Sequence, residues 1–397
     1  MTKKKSIQIV FSVMLTFVLF LSCFADYTAF AKETTVLKVY NWGEYISNGD
    51  DDSLNVISEF EKRNPGVRVQ YLTYPTNEEM YAKIVSGSAD FDICIPSDYM
   101  IAKMIKEDML AELNFNNIPN YSKIDPEFKD LEFDPDNKYS VPYTWGTVGI
   151  IYNKTMVDET IDSWDSLWDP KYTNQIFMFN NPRDSYGIAL KKLGYSQNTT
   201  DKAQLEEATQ LLKEQKSVVQ AYIMDDIFAK MGNNEAALAP YYAGDAITMI
   251  DENPDLDFVV PKEGSNKFVD SMVVLKTSKN KQLAEQFINF MLEDEIAKAN
   301  IEYIGYSTPM SSVRQLLDDD LKNSHIAYPD KEILRKCDTF IDLDPETNNY
   351  LQEKWTEVLS YGEKDIGSLI LLCCIGLFML GVLIYLYIKK IQDKKHI

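Results

Sequence analysis

The sequence predicts an α/β fold of two lobes, with an apolar segment at each end of the chain that is expected to enter or cross a membrane. The chain is 397 residues long, enough for two compact lobes, and is 45% hydrophobic and 25% charged, as globular proteins are. Segments with strand-like alternation and segments with helical spacing follow one another along its length. Both ends contain long runs without a charged residue. Together these features indicate an exported α/β protein.

Residues 1–31 have the order of features found in a secretory signal peptide. A cluster of lysines near the start precedes an apolar run over residues 7–24. Small residues follow at Ala29 and Ala31, as signal peptidase requires, so cleavage after Ala31 is predicted. Lipidation at Cys23 stays open as an alternative, because the residues before it loosely match a lipoprotein box.

Residues 366–388 are predicted to form a transmembrane helix. They contain no charged residue, and at about 1.5 Å rise per residue they span roughly 35 Å, enough for a bilayer core. The lysines that follow predict that residues 389–397 form a cytoplasmic tail. The body of the protein is therefore expected on the outer face of the cytoplasmic membrane, anchored by its C-terminal end.

The charge balance limits the kinds of partner. The chain has 61 acidic and 40 basic residues, a formal net charge of −21. Each membrane-directed end carries +2, so residues 32–364 carry −25. This acidity argues against nucleic acid as a partner and favours cationic ligands. Only His325 and His396 are present, which leaves little room for a His-rich zinc site or a Ser-His-Asp triad.

The elements predicted in order begin with a β-α-β-α-β-α series. Strands are expected over residues 36–40, 67–72 and 91–95, and helices over 53–62, 78–86 and 99–108. Further α/β segments are expected over residues 148–152, 175–179, 185–193, 202–213, 246–250 and 283–292. This order predicts a mostly parallel sheet with helices on both faces, and ligand crevices at the carboxyl ends of its strands.

Carboxylates and aromatic rings recur together in the loops where such crevices form. The loops are 41–45 (NWGEY), 96–99 (PSDY), 180–184 (NNPRD), 240–245 (PYYAGD), 268–271 (FVDS) and 304–309 (IGYSTP). Taken singly, each aromatic residue is more typical of a core anchor and each Asp of a helix cap. As a set they suit a cation, because carboxylates pair with its charge and ring faces attract it.

With these motifs the sequence resembles the spermidine/putrescine-binding proteins of ABC importers, a family of bacterial extracellular solute-binding proteins. The resemblance runs in order over nearly all of residues 34–360. Besides the loops above, it rests on residues 76–83 (TNEEMYAK), 91–97, 139–146 (YSVPYTWG), 163–168 (SWDSLW), 193–196 (LGYS) and 261–264 (PKEG).

The resemblance implies a two-lobed, periplasmic-binding-protein-like flytrap that closes over a polyamine and delivers it to an ABC permease. It implies no enzymatic activity, metal or cofactor. The lobes are expected to comprise residues 32–146 with 272–310, and residues 147–271 with 311–362. Family members are usually free in a periplasm or held by an N-terminal lipid. A C-terminal membrane helix therefore suggests a Gram-positive cell.

The resemblance also implies a set of ligand-binding residues. One wall of the site is expected to contain Trp42, Glu44, Tyr45, Ser97 and Tyr99. Asp184 and Asp270 would pair with ammonium groups, and Tyr242, Phe268 and Tyr306 would flank the methylene chain. Asn181 stands where the family usually has an aspartate, and Tyr242 and Phe268 stand where tryptophan is common, which leaves the preferred polyamine open.

Two alternatives remain at the level of sequence. The same fold could bind another solute, such as an oligosaccharide, which Trp and Tyr side chains would also stack against. A hydrolase that uses paired carboxylates, such as Glu44 and Asp184, is the third possibility, although no nucleophile or metal motif supports it.

Overall fold

The computed structural model describes residues 34–362, apart from residue 89 and the side chain of residue 51, and also residues 379 and 381. The predicted signal peptide, the predicted cytoplasmic tail and nearly all of the predicted membrane helix lie outside the described residues. Among the helices within the described ranges, none is both long enough and apolar enough to cross a bilayer.

The described chain alternates strands and helices over most of its length. The strands are β1 (Thr35–Trp42), β2 (Val67–Tyr74), β3 (Ile93–Cys94), β4 (Ser140–Asn153), β5 (Ile176–Phe179), β6 (Val219–Ile223), β7 (Leu238–Tyr242), β8 (Leu256–Val259) and β9 (Lys267–Val274). The α-helices are α1 (Val56–Arg63), α2 (Asn77–Val85), α3 (Asp98–Lys106), α4 (Pro182–Lys192), α5 (Lys202–Gln215), α6 (Ile227–Gly232), α7 (Ala243–Glu252), α8 (Lys281–Met291), α9 (Asp294–Ile304), α10 (Ser311–Arg314), α11 (Asp319–Lys322), α12 (Lys331–Leu334) and α13 (Pro345–Ser360).

The strands form two parallel groups joined by two antiparallel strands. The order across the sheet is β2-β1-β3-β9-β4-β7-β5-β6, and β8 pairs with β4. Strand β1 is parallel to β2 and β3, and β5 is parallel to β6 and β7. Strands β4 and β9 are antiparallel to each other and to their other partners. The prediction of a mostly parallel sheet therefore describes the two outer groups and misses the central pair.

Strand β4 passes from one half of the fold to the other. Residues 140–147 pair with β9, whereas residues 148–153 pair with β7 and β8. The predicted lobe boundary at 146/147 lies next to this change of partner, and the predicted boundary at 271/272 falls inside β9. The division into lobes at these residues stays a prediction.

The local sequence explains where several helices begin. The side chain of Asn55 accepts a hydrogen bond from the Ser58 amide and caps α1. Asn181 caps α4 in the same way by accepting from the Arg183 amide at 2.9 Å. Pro182, at the first position of α4, lacks the amide hydrogen that this position leaves unpaired. These caps fix the start of the helix that carries Asp184.

Buried apolar side chains fill the space between the sheet and the helices. Leu37, Val39 and Ile93 on the parallel strands are fully buried, as is Phe287 on α8. A second cluster lies around Tyr40, whose ring stacks on that of Phe91 with centroids 4.1 Å apart. Burial on this scale holds the strand ends, and hence the loops that follow them, in fixed positions.

Candidate ligand-binding site

One cleft collects nearly all of the predicted site residues. It lies where the loops after β1 and β3 face the amino ends of α4 and α7, and its empty volume, partly open to solvent, is about 620 Å³. Ten predicted residues line it: Trp42, Tyr45, Ser97, Tyr99, Asn181, Asp184, Tyr242, Phe268, Asp270 and Tyr306. No Lys, Arg or His is among the described residues that line the cleft.

The cleft also contains residues that the sequence did not single out. These are Gly43, Pro75, Asn77, Asp98, Met224, Asp225, Tyr241, Asp245, Asn266 and Phe340. Asp98 and Asp245 lie in two of the acidic and aromatic segments, 96–99 and 240–245, so the sequence pattern could have identified them as site residues. Asp225 follows β6, a strand that the sequence did not predict, and no sequence pattern marked it as a site residue.

Asp270 projects from β9 and is held by a tyrosine. The Tyr45 hydroxyl donates to Oδ2 of Asp270 at 2.7 Å and also lies in a short hydrogen bond with Thr144. Oδ1 of Asp270 is buried and accepts no hydrogen bond of standard geometry within the described chain. Burial raises the pKa of Asp270 to about 6, against the opposing effect of Ser97 and Tyr45. The free oxygen gives this carboxylate unused capacity for a cationic donor.

Asp184, in the first turn of α4, has two neutral donors. Its Oδ2 accepts from Asn181 Nδ2 at 2.8 Å and from the Tyr242 hydroxyl at 2.9 Å. Burial is the main cause that raises its pKa to about 7. The predicted site residues Asn181, Asp184 and Tyr242 thus form one hydrogen-bonded group.

The remaining carboxylates of the cleft differ in how they are satisfied. Asp98 accepts from two backbone amides, those of Tyr99 at 2.7 Å and Val269 at 3.2 Å. Burial nevertheless raises the pKa of Asp98 to about 8. The pKa of Asp245 is raised well above its usual range by burial and by neighbouring carboxylates, while the Tyr306 hydroxyl opposes the shift. Several carboxylates in one cleft therefore repel one another, and none of the described residues that line the cleft with them is basic.

Aromatic rings form a continuous row along the cleft. The centroids of Tyr242 and Phe268 are 5.6 Å apart, those of Phe268 and Tyr306 are 6.3 Å apart, and those of Tyr306 and Tyr45 are 4.7 Å apart, all edge to face. The Trp42 indole donates to the Ile95 carbonyl at 2.8 Å, which fixes its ring at the wall. Such a row offers apolar surface and negative ring faces to a methylene chain that bears charges.

A buried arginine, Arg183, contacts two aromatic residues that line the cleft. The Arg183 guanidinium lies 4.3 Å from the Phe340 ring and 5.8 Å from the Tyr99 ring. The Tyr99 hydroxyl in turn donates to Glu78 Oε1 at 2.9 Å. Hydrogen bonds to oxygen atoms of the protein orient Arg183, and one of them goes to the Ile341 backbone carbonyl at 3.3 Å. Phe340 enters the cleft because Arg183 holds the irregular segment around it.

Glu44 is the predicted site residue that does not line the cleft. Its backbone adopts a left-handed conformation with φ 46°, and its side chain is exposed. It lines a neighbouring cleft instead, together with Asp225. The turn after β1 thus separates Glu44 from Asp184, so the carboxylate pair of the hydrolase alternative is not formed in one cleft. Among the described residues no group of three or more His, Cys, Asp or Glu could hold a metal ion.

An α/β fold with an anionic, aromatic cleft at the ends of its strands is typical of solute-binding proteins. The chain belongs to the bacterial extracellular solute-binding protein family, whose model matches residues 55–328. It is accordingly a binding protein and not an enzyme.

Its relatives include binding proteins from several bacteria. The chain is 36% identical over 310 residues to a spermidine/putrescine-binding periplasmic protein of Salmonella typhimurium, which covers 78% of this chain and 87% of the relative. It is 34% identical over 336 residues to the protein of the same name from Escherichia coli, covering 84% and 94%. A spermidine/putrescine ABC transporter substrate-binding protein from Streptococcus pneumoniae superposes with a TM-score of 0.70 at 40% identity, covering 83% of this chain and all of that one.

Proposed function

We propose that this protein captures polyamines, spermidine or putrescine, outside the cytoplasmic membrane and delivers them to an ABC permease. One observation carries the proposal. Five aspartates line a cleft to which the described chain contributes no basic side chain. Several carboxylates close together in a buried cleft repel one another, and a ligand that brings ammonium groups would offset that cost.

The aromatic row favours a polyamine over a simple metal cation. A polyamine is a chain of methylenes with protonated amines, so it needs separated anions joined by apolar surface. We assign Asp184 and Asp270 to ammonium groups and the rings of Tyr242, Phe268 and Tyr306 to the methylenes. The other wall of the proposed site consists of Trp42, Tyr45, Ser97 and Tyr99. The names of the relatives agree with this choice of ligand.

Binding is proposed to close the two lobes. Residues 32–146 with 272–310 would move as one lobe against residues 147–271 with 311–362. A ligand that contacts both lobes favours the closed state by its differential affinity, and no chemical step is involved.

The deciding experiment is a thermal shift series with the purified protein. Putrescine, cadaverine, spermidine and spermine are compared with neutral oligosaccharides. A ligand at 100 times its Kd stabilises the folded protein by about 2.7 kcal/mol, which raises the midpoint of unfolding. Failure of every polyamine at millimolar concentration would refute the proposal. A shift with a sugar alone would support the oligosaccharide alternative.

We further propose that residues 1–31 direct export and that residues 366–388 anchor the protein in the membrane. The basis is the charge and hydropathy pattern of the sequence. Expression in a Gram-positive host should place the full chain in the membrane fraction, accessible to added protease. A chain that ends at residue 362 should be released into the medium. Retention of the shorter chain in the membrane would contradict the C-terminal anchor and point to Cys23.

A further inference from the structure

Asp225 lies unusually close to the backbone of Gly43. A Cβ atom built on Gly43 would lie 2.3 Å from Oδ2 of Asp225 and 3.2 Å from its Cγ. Ordinary contacts between heavy atoms are near 3.5–4.0 Å. The φ angle of Gly43 lies outside the left-handed region, so its backbone conformation does not require glycine. Glycine at position 43 leaves room for the Asp225 carboxylate in its present position.

This carboxylate lies at the junction of two clefts. Asp225 lines the ligand cleft together with Trp42 and Tyr45, and it also lines a larger neighbouring cleft with Glu44 and Asp226. Asp226, the next residue, lines only the neighbouring cleft. Asp225 therefore occupies the mouth of the ligand site at its Gly43 end.

Several carboxylates are concentrated at that end. Burial and the charges of Glu44 and Asp226 raise the pKa of Asp225, while a hydrogen bond from Tyr241 opposes this rise. Asp245 lies near enough for Asp225 and Glu44 to raise its pKa as well. A positive group placed between Asp225 and Asp245 would relieve repulsion among all of these carboxylates.

Asp184 supplies an anion elsewhere in the cleft. Asn181 donates its amide to Asp184, while burial and Glu78 raise the pKa of this carboxyl and Arg183 lowers it. Asp270 supplies a further carboxylate from β9, whose Oδ1 accepts no hydrogen bond of standard geometry from the described residues. The anions of the site thus come from several separate elements of the fold.

We propose that Asp225 is a specificity-determining residue that binds the ammonium group of the ligand at the Gly43 end of the cleft. The inference rests on the proposed function and deepens it. Asp184, Asp270 and the pair Asp225 and Asp245 form three anionic positions, and a triamine can occupy all three. A diamine leaves one of them without a counter-charge, which costs free energy in a partly desolvated cleft. Asp225 consequently favours spermidine over putrescine.

Calorimetric titration of the purified protein with spermidine and with putrescine tests the assignment. Asp225→Asn should weaken spermidine binding at least tenfold and putrescine binding by a smaller factor, so that the ratio of the two affinities falls. Asp226→Asn is the matched control, because it removes the same charge one residue away from the ligand cleft. It should change both affinities by less than twofold.

Gly43→Ala gives a second route to the same effect. Its new methyl group should displace the Asp225 carboxylate and weaken spermidine binding without removing a charge. In the double variant, Gly43→Ala with Asp225→Asn, the loss should not exceed that of Asp225→Asn alone, because both changes remove one interaction. The unfolding midpoint without ligand shows whether each variant is folded.

The outcomes separate this inference from the proposed function. If the parent binds no polyamine, the proposed function fails and the role of Asp225 fails with it. If the parent binds polyamines and Asp225→Asn binds spermidine equally well, only the role of Asp225 is overturned. An equal loss for spermidine and putrescine overturns the claim of selectivity.

Discussion

The Tyr45 hydroxyl donates to Oδ2 of Asp270 across 2.7 Å, and the two residues are 225 positions apart in the chain. The same pairing of a phenol with a carboxylate recurs between Tyr242 and Asp184. A phenol is a neutral donor, so it stabilises the buried carboxylate without cancelling its charge. Pairing with tyrosine rather than with lysine or arginine leaves the charge available to a cationic ligand.

Replacement of Asp270 should therefore weaken polyamine binding strongly. Hydrogen bonds to charged groups contribute about 1.5–3 kcal/mol, so Asp270→Asn should raise the Kd by about 10- to 100-fold. Tyr45→Phe removes only the neutral donor, and a loss of about fivefold is expected. Calorimetric titration with spermidine measures both values.

Glu44→Gln provides the contrast for this pair of variants. It removes a carboxylate that is exposed and outside the ligand cleft, so its effect should be much smaller than that of Asp270→Asn. If Glu44→Gln proves the more damaging change, the assignment of the two carboxylates must be reversed.

A second prediction concerns Asn181, whose amide donates to Asp184 at 2.8 Å. Asn181→Asp would replace that donor with a second carboxylate while keeping an oxygen that can cap α4. Repulsion between the two carboxylates should lower the unfolding midpoint of the unliganded protein and raise the pKa of Asp184 above its value of about 7.

Polyamine should reverse that penalty. The rise in unfolding midpoint on adding spermidine should be larger for Asn181→Asp than for the parent, because the ligand supplies the missing positive charge. Differential scanning fluorimetry with and without ligand gives both numbers. An unliganded midpoint equal to that of the parent would show that the two side chains do not interact as described.

The dependence on pH follows from the raised pKa values of Asp98, Asp184 and Asp270, about 8, 7 and 6. The unliganded folded protein holds protons on these groups that the unfolded chain loses near pH 4. Its stability should therefore fall as the pH rises from about 4 to about 8. A bound ammonium favours the ionised carboxylates, so binding should release protons and tighten as the pH rises through this window.

Titration at pH 6.5 in buffers of different ionisation enthalpy measures the released protons directly. The observed binding enthalpy should vary linearly with that of the buffer, with the sign of proton release. A binding enthalpy that is independent of the buffer would mean that these carboxylates are already ionised before the ligand arrives.

The sequence predicts those elements of the fold that are determined by residues close together in the chain. Strands β1 and β2 and helices α2 and α5 were predicted closely, because their apolar periodicity and caps are local signals. Strand β4 was predicted only over residues 148–152, because nearly all of its residues are buried and no alternation marks it. Strand β9 was missed for the same reason, since burial extends over both of its faces.

The residues of the site also differ in whether local sequence predicts their position. Ten of the eleven predicted residues line the cleft because the resemblance aligns whole loops with known positions. Glu44 lines the neighbouring cleft instead, at a left-handed turn that no sequence pattern revealed, and its role in ligand binding stays a prediction. Asp225 and Phe340 were missed because they reach the cleft through tertiary contacts, with Gly43 in one case and Arg183 in the other.

The last prediction concerns Arg183, which is buried among acidic neighbours. Its guanidinium donates to the Gln197 carbonyl at 3.1 Å and to Asn198 Oδ1 at 2.7 Å. Burial lowers its pKa, whereas the charges of Asp184 and Glu78 raise it. Removal of one partner of a buried charged group usually costs about 3–5 kcal/mol, because the remaining charges lose their compensation. Arg183→Met should lower the free energy of unfolding of the unliganded protein by an amount of this order.

The loss should depend on pH in a defined direction. Without the guanidinium the pKa values of Asp98 and Asp184 rise further, so the folded variant retains more protons than the unfolded chain up to a higher pH. The deficit measured by urea unfolding should therefore be larger at pH 8 than at pH 5. Lys192→Met, on the same helix but in a surface ion pair with Asp165, should cost no more than about 1 kcal/mol at either pH. Equal deficits for Arg183→Met at the two pH values would show that the arginine contributes packing and hydrogen bonds but does not compensate the carboxylates of the cleft.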